Sequence, residues 1–188
     1  MPKFFSLEWA DVVKVEVGHL IYGDFMVPGA DPKLYSEITD TTRMVTVVEE
    51  SLEDYNATFT KKMPLVMFVD AVGHVARISR VIRQPQGNAL LLGVGGSGRQ
   101  SLARLSAGMA EYDCFQIEIA KNYGKVEWRD DLKKALLIAG DEGKSLTFLF
   151  TDTQIVKESF LEDINNMLNA GEVPNLMETE DMLSLIHI

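Results

Sequence analysis

Between residues 89 and 102 the chain reads ALLLGVGGSGRQSL, an apolar run, then four glycines within six residues, then a cation. Those residue types in that order suit phosphate. Glycines let the backbone approach an anion closely, and a helix that begins after them offers free N–H groups and a favourable dipole. Gly93-Val94-Gly95-Gly96-Ser97-Gly98 fits G-x-G-x-x-G, the dinucleotide fingerprint. The same residues open G-x-x-x-x-G, the first part of a P-loop, which should continue with Lys and then Ser or Thr. Arg99 and Gln100 stand there instead.

The two readings ask for different acids. A dinucleotide loop wants one about 20 positions on, at the end of the next strand, to hold a ribose, and Glu118 is near that place. A P-loop wants one at the tip of a later strand, and FLFTDTQ (148–154) supplies Asp152 there. Arg99 favours the P-loop, because dinucleotide loops usually leave the position after the last glycine uncharged.

Both loops need the same scaffold. The sequence TDTTRMVTVVEESLEDYNATF predicts a helix over 42–57, with Asp40 or Thr41 as its N-cap. A second helix is expected over 64–82. It starts at Pro64 and carries Leu65, Phe68, Val72, Val75, Ile78 and Ile82 on one stripe. Pro85 then ends it. From there strand, loop and helix alternate. The expected strands are NALLLGV (88–94), CFQIEI (114–119) and SLTFLFT (145–151), and the expected helices are 100–110, 127–140 and 158–171. The last helix is amphipathic through Phe160, Ile164, Met167 and Leu168, with Gly171 as its C-terminal cap. Such alternation implies an α/β fold with a parallel sheet covered on both faces.

Composition narrows the class. Hydrophobic residues make up 46% of the 188 and charged residues 24%, which is ordinary for a packed fold. The net charge of −10 is unevenly spread: residues 61–140 carry +5, and the segments before and after carry −7 and −8. The positive section holds the glycine loop, where it would draw a phosphate ligand. An acidic chain argues against nonspecific nucleic-acid binding. Asp70, His74 and Arg77 interrupt the most apolar stretch, so no membrane partner is expected. A lone cysteine leaves no internal disulfide and points to a reducing compartment. Cys114 opens a strand and reads as a core residue; Tyr123 and Trp128 read as packing residues. His19, His74 and His187 are too scattered to suggest a metal site.

Several stretches also resemble a known family. GVGGSGRQSLARL, CFQIEI, NYG, EWRDDLKKALLIAG, FLFTDTQI and SFLEDINNMLNAGEVPNL are together similar to the fourth AAA+ module of axonemal dynein heavy chains. YGDF, LEDYN and MPLVMFVDAVGHVARISRVIRQPQGNALL extend the resemblance over residues 20–178. It implies a P-loop NTPase of the AAA+ type, a three-layer α/β sandwich with an incomplete parallel sheet behind an N-terminal helical segment. Residues 1–40 would be an entry segment, 41–178 a partial module with its P-loop core at 88–171, and 179–188 a tail of foreign character. The family sheet runs 5-1-4-3-2, so one strand would lie between the strand before the loop and the acid-tipped strand. The strand expected between them is not recognisable here, and the chain reads as a fragment of a much larger polypeptide.

The resemblance also assigns roles. Gly93, Gly95, Gly96, Ser97, Gly98, Arg99, Gln100 and Ser101 would bind the phosphates of ATP or ADP. Arg99 takes the place of the lysine, and Gln100 that of the Mg²⁺-binding hydroxyl, with Ser101 one position later as a substitute. Asp152 is the candidate Mg²⁺ or catalytic acid; Thr153 or Thr151 replaces the second one, depending on register. Gln154 could orient a polar group nearby. Three degraded features together imply nucleotide binding with weak or absent hydrolysis. Implied partners are neighbouring AAA+ modules of the same heavy chain, dynein intermediate and light chains, and microtubules. The implied location is the cytoplasmic cytoskeleton of the ciliary or flagellar axoneme.

Overall fold

A computed structural model describes residues 20–140 and 142–177. They form two compact units, one ending at Ala76 and one beginning at Arg77. Residues 1–19 of the entry segment, the tail 179–188, and with them His19 and His187, lie outside the described residues.

In the first unit, strand β1 (Tyr22–Gly23) pairs antiparallel with β2 (Ser36–Glu37), Tyr22 opposite Glu37. Gly23 is required by close approach: a Cβ there would sit 2.5 Å from the Phe25 ring. Helix α1 (Thr41–Thr58) begins where the sequence places it, with the Asp40 carboxylate accepting the Arg43 N–H at 2.9 Å. Met44, Val47, Val48 and Leu52 recur at three- and four-residue spacing and are all buried. The helix ends at Phe59, whose ring stacks on Tyr55 with centroids 4.4 Å apart.

Helix α2 (Val69–Ile82) starts five residues later than expected. The first helical bond runs from the Val72 N–H to the Phe68 carbonyl, so Pro64 to Phe68 stay outside the helix. The cause is Asn56, whose amide grips Met63 on both sides. Its Oδ1 accepts the Met63 N–H at 2.7 Å and its Nδ2 donates to the Met63 carbonyl at 3.1 Å. Pro64 adds to this by disfavouring helical geometry at the residue before it. Val72, Val75 and Ile78 are buried as the stripe requires, but Phe68 is 60% exposed. Replacing Asn56 by alanine should lower the stability of this unit by about 1–2 kcal/mol, the cost of two lost backbone clamps. Urea denaturation would read it, and a change below about 0.5 kcal/mol would contradict it.

The second unit is built in three layers. Helix α3 (Arg99–Met109) leads to strand β3 (Asp113–Phe115); helix α4 (Lys125–Gly140) then leads to strand β4 (Leu146–Phe148). A 3₁₀ turn (Asp152–Gln154) and helix α5 (Glu158–Ala170) follow. The strands pair in parallel, Asp113 opposite Leu146 and Phe115 opposite Phe148. On one face Phe115 and Phe148 pack against Trp128, Leu132 and Leu136 of α4 and Phe160, Ile164 and Met167 of α5. On the other face Arg104 of α3 reaches the Gln116 side chain. Trp128 and Phe160 are fully buried and lie face to face, 4.4 Å between centroids and 6° apart in plane. Such a pair adds about 0.5–1.5 kcal/mol beyond burial. Beside them Tyr123 donates to Asp131 at 2.6 Å, and burial together with that bond holds its hydroxyl well above the usual phenol pKa.

The strands are shorter than expected. The ladder closes with the Leu149 N–H on the Phe115 carbonyl, and the carbonyl of Ile117 turns to a side chain instead. NALLLGV is not a strand here, because no partner borders it among the described residues. Leu90, Leu92 and Val94 alternate at 84%, 82% and 78% exposure, the outward rungs of a strand without a sheet. Pairing of β3 with β4 agrees with the expected strand order. Cys114 is exposed rather than core, since it lies on the face of the ladder opposite the aromatic residues. Local crowding still raises its thiol pKa, with Arg104 pulling the other way. Leu168 is 53% exposed, whereas its neighbour Met167 packs against the core.

Candidate nucleotide-binding site

The loop after Leu92 turns twice on glycine. Gly96 and Gly98 both sit at φ 77°, in the left-handed region where a side chain is strained. Between them Ser97 donates its N–H to the Val94 carbonyl at 3.3 Å. Gly98 is the N-cap of α3, and its carbonyl accepts the Leu102 N–H at 2.9 Å. No side chain caps this end, so the first-turn N–H groups of Arg99, Gln100 and Ser101 face a ligand position at the positive end of the dipole. Gly93 is closely approached: a Cβ there would meet Ser97 Oγ at 3.2 Å and Arg99 Cδ at 3.4 Å. Beside Gly95, Gly96 and Gly98 a Cβ would meet nothing within 4 Å, so the loop borders open space.

Arg99 is half-buried and lies back across the loop. Its Nη2 donates to the Val94 carbonyl at 3.1 Å and its Nη1 to the Leu91 carbonyl at 3.4 Å. Two of its five N–H groups are thereby directed into the loop, leaving three for an anion. The cradle suits phosphate: an uncapped helix N-terminus, two glycine turns and a fixed cation. Mg²⁺ suits it poorly. Gln100, where a P-loop carries a hydroxyl, is exposed and offers a neutral amide. Ser97 is exposed as well, and Ser101 half-buried.

Asp152 stands on a different element, in the turn beyond β4, and its Oδ1 accepts the Thr153 N–H at 3.0 Å. What fixes that turn is Gln154. Its Oε1 accepts the Thr151 N–H at 2.8 Å and the Thr151 hydroxyl at 3.1 Å, while its Nε2 donates to the Ile117 carbonyl. Gln154 is 4% exposed. It ties the tip of one strand segment to the end of the other, a role no spacing in the sequence announces. Arg129 does a comparable task for the chain after α5, donating to the carbonyls of Pro174, at 3.1 Å, and Asn175. Among the described residues no group of three or more His, Cys, Asp or Glu side chains is placed to hold a metal ion. No described helix is long and apolar enough to cross a membrane.

Comparison with known proteins gives the loop its setting. The family described as P-loop containing dynein motor region D4 matches residues 63–188. Human dynein axonemal heavy chain 1 is 59% identical over 167 residues, covering 89% of this chain and 4% of the relative. The mouse heavy chain 1 is 58% identical over 168 residues, with the same coverages. Human dynein axonemal heavy chain 6 is 51% identical over 165 residues, 87% of this chain and 4% of the relative. The chain therefore spans about one twenty-fifth of the length of these relatives. The loop from Gly93 to Ser101 lies inside the matched region, and the parallel α/β unit around it is a partial AAA+ P-loop domain. This chain belongs to the family of the P-loop-containing dynein motor region D4.

Proposed function

We propose that this segment is a regulatory nucleotide-binding module of an axonemal dynein heavy chain, taking ATP or ADP and turning it over weakly or not at all. The observation that carries it is the pairing of two left-handed glycines with an uncapped helix N-terminus and the guanidinium of Arg99. Backbone N–H groups of Gly95 to Ser101 would hold the phosphates, and Arg99 would neutralise them. Hydrolysis asks for more. Phosphoryl transfer depends on a positioned water and on charge neutralised at the terminal phosphate. Here Thr153 or Thr151 stands where a second acid would be, and Asp152 bonds within its own turn. Binding should therefore outlast catalysis, which fits a module that reports its nucleotide state to neighbouring AAA+ modules rather than one that drives movement along microtubules. Intermediate and light chains would be partners of the whole heavy chain, in the axoneme.

The test is equilibrium binding of a fluorescent ATP analogue to the motor region that contains this segment, beside an Arg99→Ala variant. Loss of one charge-assisted contact should weaken this site by about ten- to hundredfold. One observation favours a second reading, an inert loop in which Arg99 serves only to bond the carbonyls of Leu91 and Val94. In that case the variant and the parent would bind the analogue alike.

A further inference from the structure

Resting on the nucleotide reading above, we infer that this site takes its nucleotide without a divalent metal ion, with Arg99 supplying the neutralisation that Mg²⁺ gives elsewhere. Three observations converge. At the position that would ligate the ion, Gln100 presents an exposed neutral amide, longer than a hydroxyl and ill-suited to a compact octahedral shell. The carboxylate of Asp152 turns one of its oxygens, Oδ1, to the Thr153 N–H of its own turn at 3.0 Å. The buried amide of Gln154 clamps the turn that carries Asp152 through Thr151 and Ile117, so the acid is held where it stands.

The cation, by contrast, is prepared. Bonds from Arg99 to the carbonyls of Leu91 and Val94 fix its fork across the loop before any ligand arrives. The planar donors of the guanidinium match phosphate oxygens in pairs. The occupant is then a nucleoside di- or triphosphate in its metal-free form, and chelators should leave it bound.

The experiment is photolabelling of the intact polypeptide that carries this segment, with azido-ADP and azido-ATP, in excess Mg²⁺ or in excess chelator. Mass spectrometry of the peptide holding residues 95–104 reads this loop apart from any other nucleotide site. Labelling unchanged by chelation is the expected result. Arg99→Ala should lose about ten- to hundredfold of it equally in both conditions. A fall of about tenfold or more on chelation, or rescue of Arg99→Ala by Mg²⁺, overturns the inference and leaves nucleotide binding standing. No labelling of this peptide in either condition removes both.

Discussion

Trp128→Ala should cost the second unit about 3–5 kcal/mol, the usual range for emptying a large aromatic site in a core. Trp128 is fully buried. Its ring covers Phe160 at 4.4 Å and meets Phe150 at 5.4 Å, and its indole N–H donates to Asp163 at 2.8 Å. Alanine removes the stack between α4 and α5 and leaves a half-buried carboxylate without its donor. Neither helix can close the gap, because Phe115 and Phe148 hold the sheet side of the same cluster. Phenylalanine keeps a ring against Phe160 and loses the hydrogen bond and part of the indole's volume, so it should cost less than alanine, at least about 1–2 kcal/mol. Urea midpoints of the two variants and the parent decide it. An alanine variant within about 1 kcal/mol of the parent would mean that the stack adds little.

The second large effect belongs to Gln154. Gln154→Leu keeps the volume roughly and deletes three hydrogen bonds, stranding the Thr151 N–H and the Ile117 carbonyl. Each stranded group costs about 1–3 kcal/mol, so a loss of about 2–6 kcal/mol is expected. Gln154→Glu adds a titration. The new carboxyl, 4% exposed at this position and facing the Ile117 carbonyl, is favoured as the neutral acid that can donate to that oxygen. Its folded pKa then lies above the unfolded value of about 4.3. Stability is retained below that value and falls as pH rises through the folded pKa. Denaturation of Gln154→Glu at about pH 4 and about pH 7 reads the difference. A variant no less stable at neutral pH than in acid would show that Nε2 carries no weight in the turn.

Helices were legible where their limits are local. Asp40, Gly98 and Gly171 cap three of them, and α1, α3, α4 and α5 lie within two residues of the expected spans. Helix α2 was misread at its start because the deciding partner is the Asn56 amide, seven residues upstream of Met63, and no periodicity encodes it. Strands failed for the opposite reason. A strand is completed by its neighbour, so NALLLGV has the pattern without the ladder, and CFQIEI stops pairing at Phe115. In the candidate site, glycine spacing marked a loop whose backbone could approach an anion, and Gly96 and Gly98 turn out to be its left-handed residues. The inward lie of Arg99 and the tether through Gln154 could not be read, since both rest on bonds to backbone groups, which every residue offers.

Leu90, Leu92 and Val94 also bear on how the molecule behaves among its own copies. Three apolar side chains on an unpaired backbone attract a like segment of a second molecule, while a net charge of −10 holds copies apart. These forces differ in reach. The repulsion fades over about 10 Å at 0.1 M salt and about 3 Å at 1 M, whereas contact between apolar teeth is indifferent to ions. Colloidal stability is thus set by ionic strength: dilute buffer keeps the chain dispersed, and salt uncovers the adhesion.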